Sequence, residues 1–258
     1  MVGTPRFSER IGLVKRVLQK DSMDDALKNA PWNVSYSAMT DIPQLPLDIV
    51  TGHYHLPAHR YQYAAPFELY DVIHKHYLSG SWAATYEFIE YVAVAAFHLP
   101  IAPFNEVLES HYSSYRFVGE ILAPITSDQE IAEIQLAIVH SGKFAPAAKH
   151  IETALLRLAD KPQPDARNSI KESISAVEAT CKIIANSPNA TLADALKQLG
   201  IHAALERGFK AIYGYTSDAD GIRHALSNES TVDGDDARFF LVSCSAFVNY
   251  LITKSDTP

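Results

Sequence analysis

The sequence predicts an all-α protein: a helical bundle with at most one small β-hairpin, near 115–124. Three observations carry that reading. Apolar residues recur three and four positions apart, most regularly in 167–185 and 235–252, as one face of an α-helix requires. Helix-opening chemistry stands ahead of other periodic stretches: Ser127 with Glu130, and Thr191 with Asp194, each pair able to satisfy orphan backbone donors. One stretch has strand length and a turn instead: Tyr115-Arg116-Phe117-Val118 and Ile121-Leu122-Ala123 about Gly119-Glu120.

Taken in order, Ile11, Val14, Val17 and Leu18 make 7–19 a short amphipathic helix. Asp21 to Asp24 supply N-cap chemistry for the next helix, which Pro31 should end or kink. Pro43, Pro46, Gly52 and Pro57 then break 41–61 into a long loop. Residues 67–78 and 82–97 are helices joined by Ser79-Gly80-Ser81, the second with Ile89, Val92, Ala93 and Ala96 on a broad apolar face. A helical pattern over 104–115 leads into the hairpin, whose short strands need helices to pack on.

Helix 130–140 follows the Ser127 cap. Gly142 and Pro146 then mark the boundary between an N-terminal region, 1–142, and a C-terminal helical domain, 143–258. That domain reads as helices at 147–158, 167–185, 191–199, 203–213 and 235–252. Ile170, Ile174, Val177, Cys181 and Ile184 form a coiled-coil-like seam on the second of them. Asp235 and Asp236 suit the dipole at the start of the last.

Composition narrows the function classes. Hydrophobic residues make up 47% and charged residues 20%, as in ordinary soluble domains. No apolar run reaches the ~20 residues of a membrane span, and the first residues lack the apolar core of a signal peptide. Cys181 and Cys244 lie on apolar faces as buried thiols, which points to the cytoplasm. Residues 1–142 carry 9 Lys+Arg against 16 Asp+Glu, a net −7, and 143–258 carry 13 against 14, a net −1. Neither half has the basic excess for broad DNA binding.

The polar stretch that invites chemistry is 213–226, YGYTSDADGIRHAL, with Arg223 and His224 behind an acidic turn that includes Asp220. Imidazole moves protons near neutral pH and guanidinium holds phosphate, so the pair suits phosphodiester cleavage. Equally, Arg223 can pair with Asp220 or Glu178 while His224 caps a helix. With Ile170 at zero, Arg167, Lys171 and Glu178 fall at about +60°, +100° and +80°, a charged stripe beside the seam. That stripe is either a binding flank or an ordinary solvated one. His53, His55 and His59, with His74 and His76, suggest a metal, but no HExxH pattern is present. On a helix His74 and His76 point about 200° apart and cannot share an ion, so neither a metal nor a cofactor is expected. Gly-rich phosphate loops and a GxSxG elbow are also missing from the sequence.

The phrases RNSIKESISAVEATCKII (167–184), IHAALERGFKAIYGYTSDADGIRHAL (201–226) and DARFFLVSCSAFVNYLI (236–252) resemble the HEPN-like region of bacterial AbiJ-type abortive-infection proteins. FSERIGLVKRVLQKDSMDDALKNAPWN (7–33) and YRFVGEILAPITSDQEI (115–131) resemble the amino-terminal region of the same family, and the loop 41–66 fits it poorly. The resemblance implies a helical bundle, often dimeric, in defence against phage. Many HEPN proteins are metal-independent RNases whose motif is an arginine, a polar residue, and a histidine separated from the arginine by four to six residues. No arginine of this chain has a histidine at that spacing; Arg167-Asn168 begins the motif but Glu172, Ser173 and Ile174 hold the histidine positions. The expectation is therefore a non-catalytic HEPN-like module, a homodimer that binds RNA, a nucleotide or a protein partner. The alternative is a metal-independent RNase using Arg223 and His224, oriented by Glu178, with Arg167, Lys171 and Asp220 in binding roles.

Overall fold

Asp24 opens the first helix whose full length lies among the described residues, its carboxylate accepting the Leu27 N–H. The computed structural model describes Phe7, Ile11 and residues 17–96, 98–160, 164–218 and 232–256. The helix expected over 7–19 lies largely outside these residues. Among them the fold is helical throughout, with one two-stranded sheet, as the sequence predicts. The chain divides into two compact units, Met1–Thr126 and Ser127–Pro258.

In the first unit, α1 (Asp25–Asp41) runs through Pro31 and stops ten residues beyond it. Proline removes one intrahelical donor, and burial of Leu27, Trp32 and Met39 on the same helix outweighs that loss. The stretch read as a long loop is instead largely helical: α2 (Leu45–Asp48), a π-helical turn (Ile49–His53) and α3 (Ala58–Tyr61). Two of its three prolines sit where no N–H is needed, Pro46 in the first turn of α2 and Pro57 at the N-cap of α3. Gly52 lies under Tyr91, and a Cβ there would overlap the Tyr91 hydroxyl. That hydroxyl donates to the Asp48 carbonyl.

Helix α4 (Pro66–Ser79) begins where Glu68 accepts the Ala65 N–H. Helix α5 (Trp82–Glu90), capped by Ser81, passes into a second π-helical turn, Tyr91–Ala96, where the sequence predicts uninterrupted α-helix. Helix α6 (Ala102–Ser110) ends earlier than its apolar pattern. Strands β1 (Arg116–Val118) and β2 (Ile121–Ala123) pair antiparallel with Phe117 opposite Leu122. Gly119, at φ +60°, takes the left-handed position of the two-residue turn. Helices hold the hairpin as expected: Asn105 of α6 exchanges hydrogen bonds with the Phe117 backbone, and Glu90 of α5 accepts the Leu122 N–H.

The second unit begins with α7 (Asp128–Ile138), where Ser127 accepts the Glu130 N–H. After a 3-10 turn at Gly142–Phe144 come α8 (Ala145–Ala159), α9 (Ala166–Ile184), α10 (Leu192–Gln198), α11 (Ala203–Asp218) and α12 (Gly234–Ser255). Helix α9 is central, with α8 and α12 packed along it. Its seam is buried at Ile170, Ile174, Val177 and Cys181. Buried Ser169 donates to the Ala154 carbonyl of α8, a bond that only close helix approach permits. Helix α7 packs on α12, where Asn249 donates to the Glu133 carbonyl and carboxylate and meets His140 Nε2 at 2.9 Å. The sequence-based division at 142/143 separates α7 from these partners. Both cysteines are free and buried in this unit, and burial pushes each thiol up to about 12.

Candidate functional site

The charged flank of α9 opens, at its C-terminal half, on a groove of about 340 Å³. Glu178 and Lys182 stand one helical turn apart on α9, so both face it. The opposite wall is the segment Ala190–Ala193 leading into α10, and Lys210 reaches in from α11.

Each wall has a local cause. Thr191 and Asp194 form a reciprocal capping box: the Thr191 N–H and hydroxyl donate to the Asp194 carboxylate, and the Thr191 hydroxyl accepts the Asp194 N–H. These bonds, the hydroxyl's first, hold the Asp194 carboxyl below the usual range, with Lys197 and Lys210 adding to the effect. Lys210 pairs with Glu206 one turn back on α11. Under the groove the packing turns apolar. Leu192 lines both the groove and a slot of about 20 Å³ formed with Ile174, Val177, Phe209 and Phe247. There the Phe209 and Phe247 rings stack with centroids 3.3 Å apart, seating α11 on α12. Behind the wall, the Glu178 carboxylate adds to burial in raising the Cys181 thiol.

Of the described residues singled out from sequence as a site, the groove takes Glu178 alone. Arg167 is half-buried in the first turn of α9 and Lys171 is exposed. Both share the flank by rotation but lie about 16 Å and 10 Å up the axis from Glu178. Asp220, Arg223 and His224 lie outside the described residues. On the other flank of α9, Glu172 meets His150 Nδ1 of α8 at 2.6 Å.

Sequence reasoning missed Lys182, Thr191 and Lys210 as partners of Glu178. Lys182 continues the stripe at about +120° and was within reach of the helical wheel. Lys210 was not, because only tertiary packing brings α11 to α9.

The amino-terminal histidines do not converge. His74 stacks on Trp32 at 4.5 Å, His76 stacks on Tyr54 at 4.8 Å, and His53 packs against Tyr54, Phe88 and Tyr91. Among the described residues no group of three or more His, Cys, Asp or Glu is placed to hold a metal ion.

Among the described residues no helix is long and apolar enough to cross a membrane. Comparison with curated proteins and with solved structures finds no match. The model of one family, AbiJ N-terminal domain 4, matches residues 5–140. That span takes in the 41–66 segment that seemed from sequence to fit poorly, and it ends before α8. It covers more than half of the 258 residues, and the chain belongs to the AbiJ-type abortive-infection family.

Proposed function

We propose that this protein acts in bacterial phage defence as a non-catalytic binding module, and that its second unit, read as HEPN-like, holds a nucleotide or RNA end in the α9–α10–α11 groove. The observation that carries the reading is the groove itself. It gathers Glu178 and Lys182 of the α9 flank with Lys210 of α11, beside a fixed capping box, in a volume suited to a small ligand. Lys182 and Lys210 would meet phosphate, while the Glu178 carboxylate would accept from a sugar hydroxyl or base amine. The mixed charge of the lining fits a compact ligand better than a long polyanion. A homodimer belongs to the same reading, and sedimentation at twice the 28.5 kDa chain mass is its check.

Calorimetric titration with nucleoside mono- and triphosphates and with 5′-phosphorylated RNA tests it. Lys182→Glu should weaken binding by about tenfold or more. No binding by the folded wild type would remove the groove from the account. RNA cleavage that survives EDTA and vanishes in Arg223→Ala/His224→Ala would replace the binding module with an RNase.

A further inference from the structure

The first unit leaves several aromatic rings exposed on its surface. Tyr63 is 91% exposed, Phe67 65% and Tyr36 43%. On α4, Phe67, Tyr70, Asp71 and His74 follow at helical spacing and share one sector, Phe67 and Asp71 exposed and Tyr70 and His74 half-buried beside them. Tyr36 of α1 meets Tyr70 edge-on at 5.3 Å, and the Trp32 ring beneath stacks on His74 at 4.5 Å. Tyr36, Tyr70 and His74 are thus fixed by one another and by the core, and Phe67 stands exposed one turn before Tyr70 on α4. An exposed aromatic patch held rigid has little entropy left to lose on binding.

Asp71 stands within this sector. It is exposed and makes no ion pair among the described residues, although Lys75 lies one turn further along. The neighbouring acid, Glu68, is occupied by the Ala65 N–H. The nearest lysine on α1, Lys28, is also occupied, donating to the Leu78 and Gly80 carbonyls. A free carboxylate among tyrosine and phenylalanine rings is matched by a guanidinium. Arginine can grip the carboxylate with two parallel N–H groups and lay its plane on a ring, whereas an ammonium can do neither as well.

We propose that this α1–α4 face docks a protein segment presenting an arginine beside apolar side chains, with Asp71 taking the guanidinium and Tyr70 and Phe67 taking its plane and the apolar flank. Aromatic and arginine anchors dominate protein interfaces, and the face supplies the aromatic half. Nucleic acid is disfavoured here because Lys75 is the lone cation on α4 beside two acids. A second copy of the chain would bring Asp71 towards its own equivalent in a two-fold contact.

The test is a selection from a random dodecapeptide library on the immobilised full chain, followed by anisotropy titration of the recovered peptides. Peptides with arginine two to four positions from a leucine or aromatic residue should be enriched. Asp71→Asn and Phe67→Ser, both changes of exposed side chains, should each weaken them about tenfold with melting temperature unchanged. Arginine-to-lysine peptides should bind several-fold more weakly. Recovered peptides without arginine, or equal binding to the Asp71→Asn chain, would overturn the proposal. So would tighter binding of single-stranded RNA at this face, or a dimer that Phe67→Ser converts to monomer.

Discussion

The two units solve the packing problem in opposite ways. The first is built from short helices, two π-helical turns and a hairpin, and its core is bulky: Trp32, Tyr77, Phe88, Phe104 and Phe117 are buried there. Phe88 alone touches the rings of Trp32, His53, Tyr54 and Tyr77. The second is built from longer helices whose central contact is small and aliphatic. Along α8 and α9, Ala147, Ala154, Ala176, Ser169 and Ser173 are buried, and hydroxyls bond to helix carbonyls within the interface. Irregular backbone leaves wide, uneven gaps that rings can fill, while regular helices approach closely only if small residues line the contact. Size is therefore tolerated differently in the two cores.

Removing a ring from the first core should have the largest effect. Phe88→Ala deletes the common partner of four rings and should cost about 3–5 kcal/mol in urea denaturation. A loss below about 1 kcal/mol would mean that the surrounding rings collapse freely, against the fixed packing described. The reverse experiment belongs to the second core. Ser169→Leu adds bulk where α8 and α9 touch and removes the bond to Ala154, for about 1–3 kcal/mol. If it were neutral, the helix contact would be looser than the geometry says.

A pH experiment sharpens the contrast. Burial lowers the His53 pKa, partly offset by Glu87 and reinforced by His55. The folded state therefore disfavours the protonated ring. The stability that neutral His53 contributes is complete above its ordinary value of about 6.5 and is lost as pH falls towards the lowered folded value. The stability of wild type to urea should fall between pH 7.5 and pH 5.5 more than that of His53→Asn; identical slopes would remove His53 as the cause.

The smallest expected effect has the opposite sign. Among the described residues the buried Tyr54 hydroxyl has no hydrogen-bond partner, and burial raises its pKa well above the usual tyrosine value. Tyr54→Phe should be neutral or stabilise by up to about 1 kcal/mol. Tyr77→Phe should instead destabilise, since its hydroxyl donates to the Lys28 carbonyl. A clear loss on Tyr54→Phe would show that its hydroxyl has a partner in solution.

Legibility followed the same divide. Where one helix face explains the residues, as for Ile170 to Cys181 or for the Thr191–Asp194 box, the sequence names the element to within a residue or two. The hairpin was legible because Gly119 alone meets its turn's demand. Residues 41–61 were misread because proline and glycine look like breakers wherever they stand. Pro46 and Pro57 in fact begin helices, and Gly52 makes room for Tyr91, a partner far along the chain. The site shows the same limit. Glu178 was found by rotation about α9, but rotation ignores distance along the axis, so Arg167 and Lys171 were grouped with it. Lys210 comes from a separate helix and leaves no mark at short range.

The placement of the two thiols carries a practical consequence. Cys181 and Cys244 are the protein's only cysteines, and both are buried in the second unit. With each thiol held at about pKa 12, a thiol-specific reagent reacts at neutral pH only when that unit opens. Labelling rates thus time the breathing of one half of the molecule while the other half stays silent, with no engineered probe.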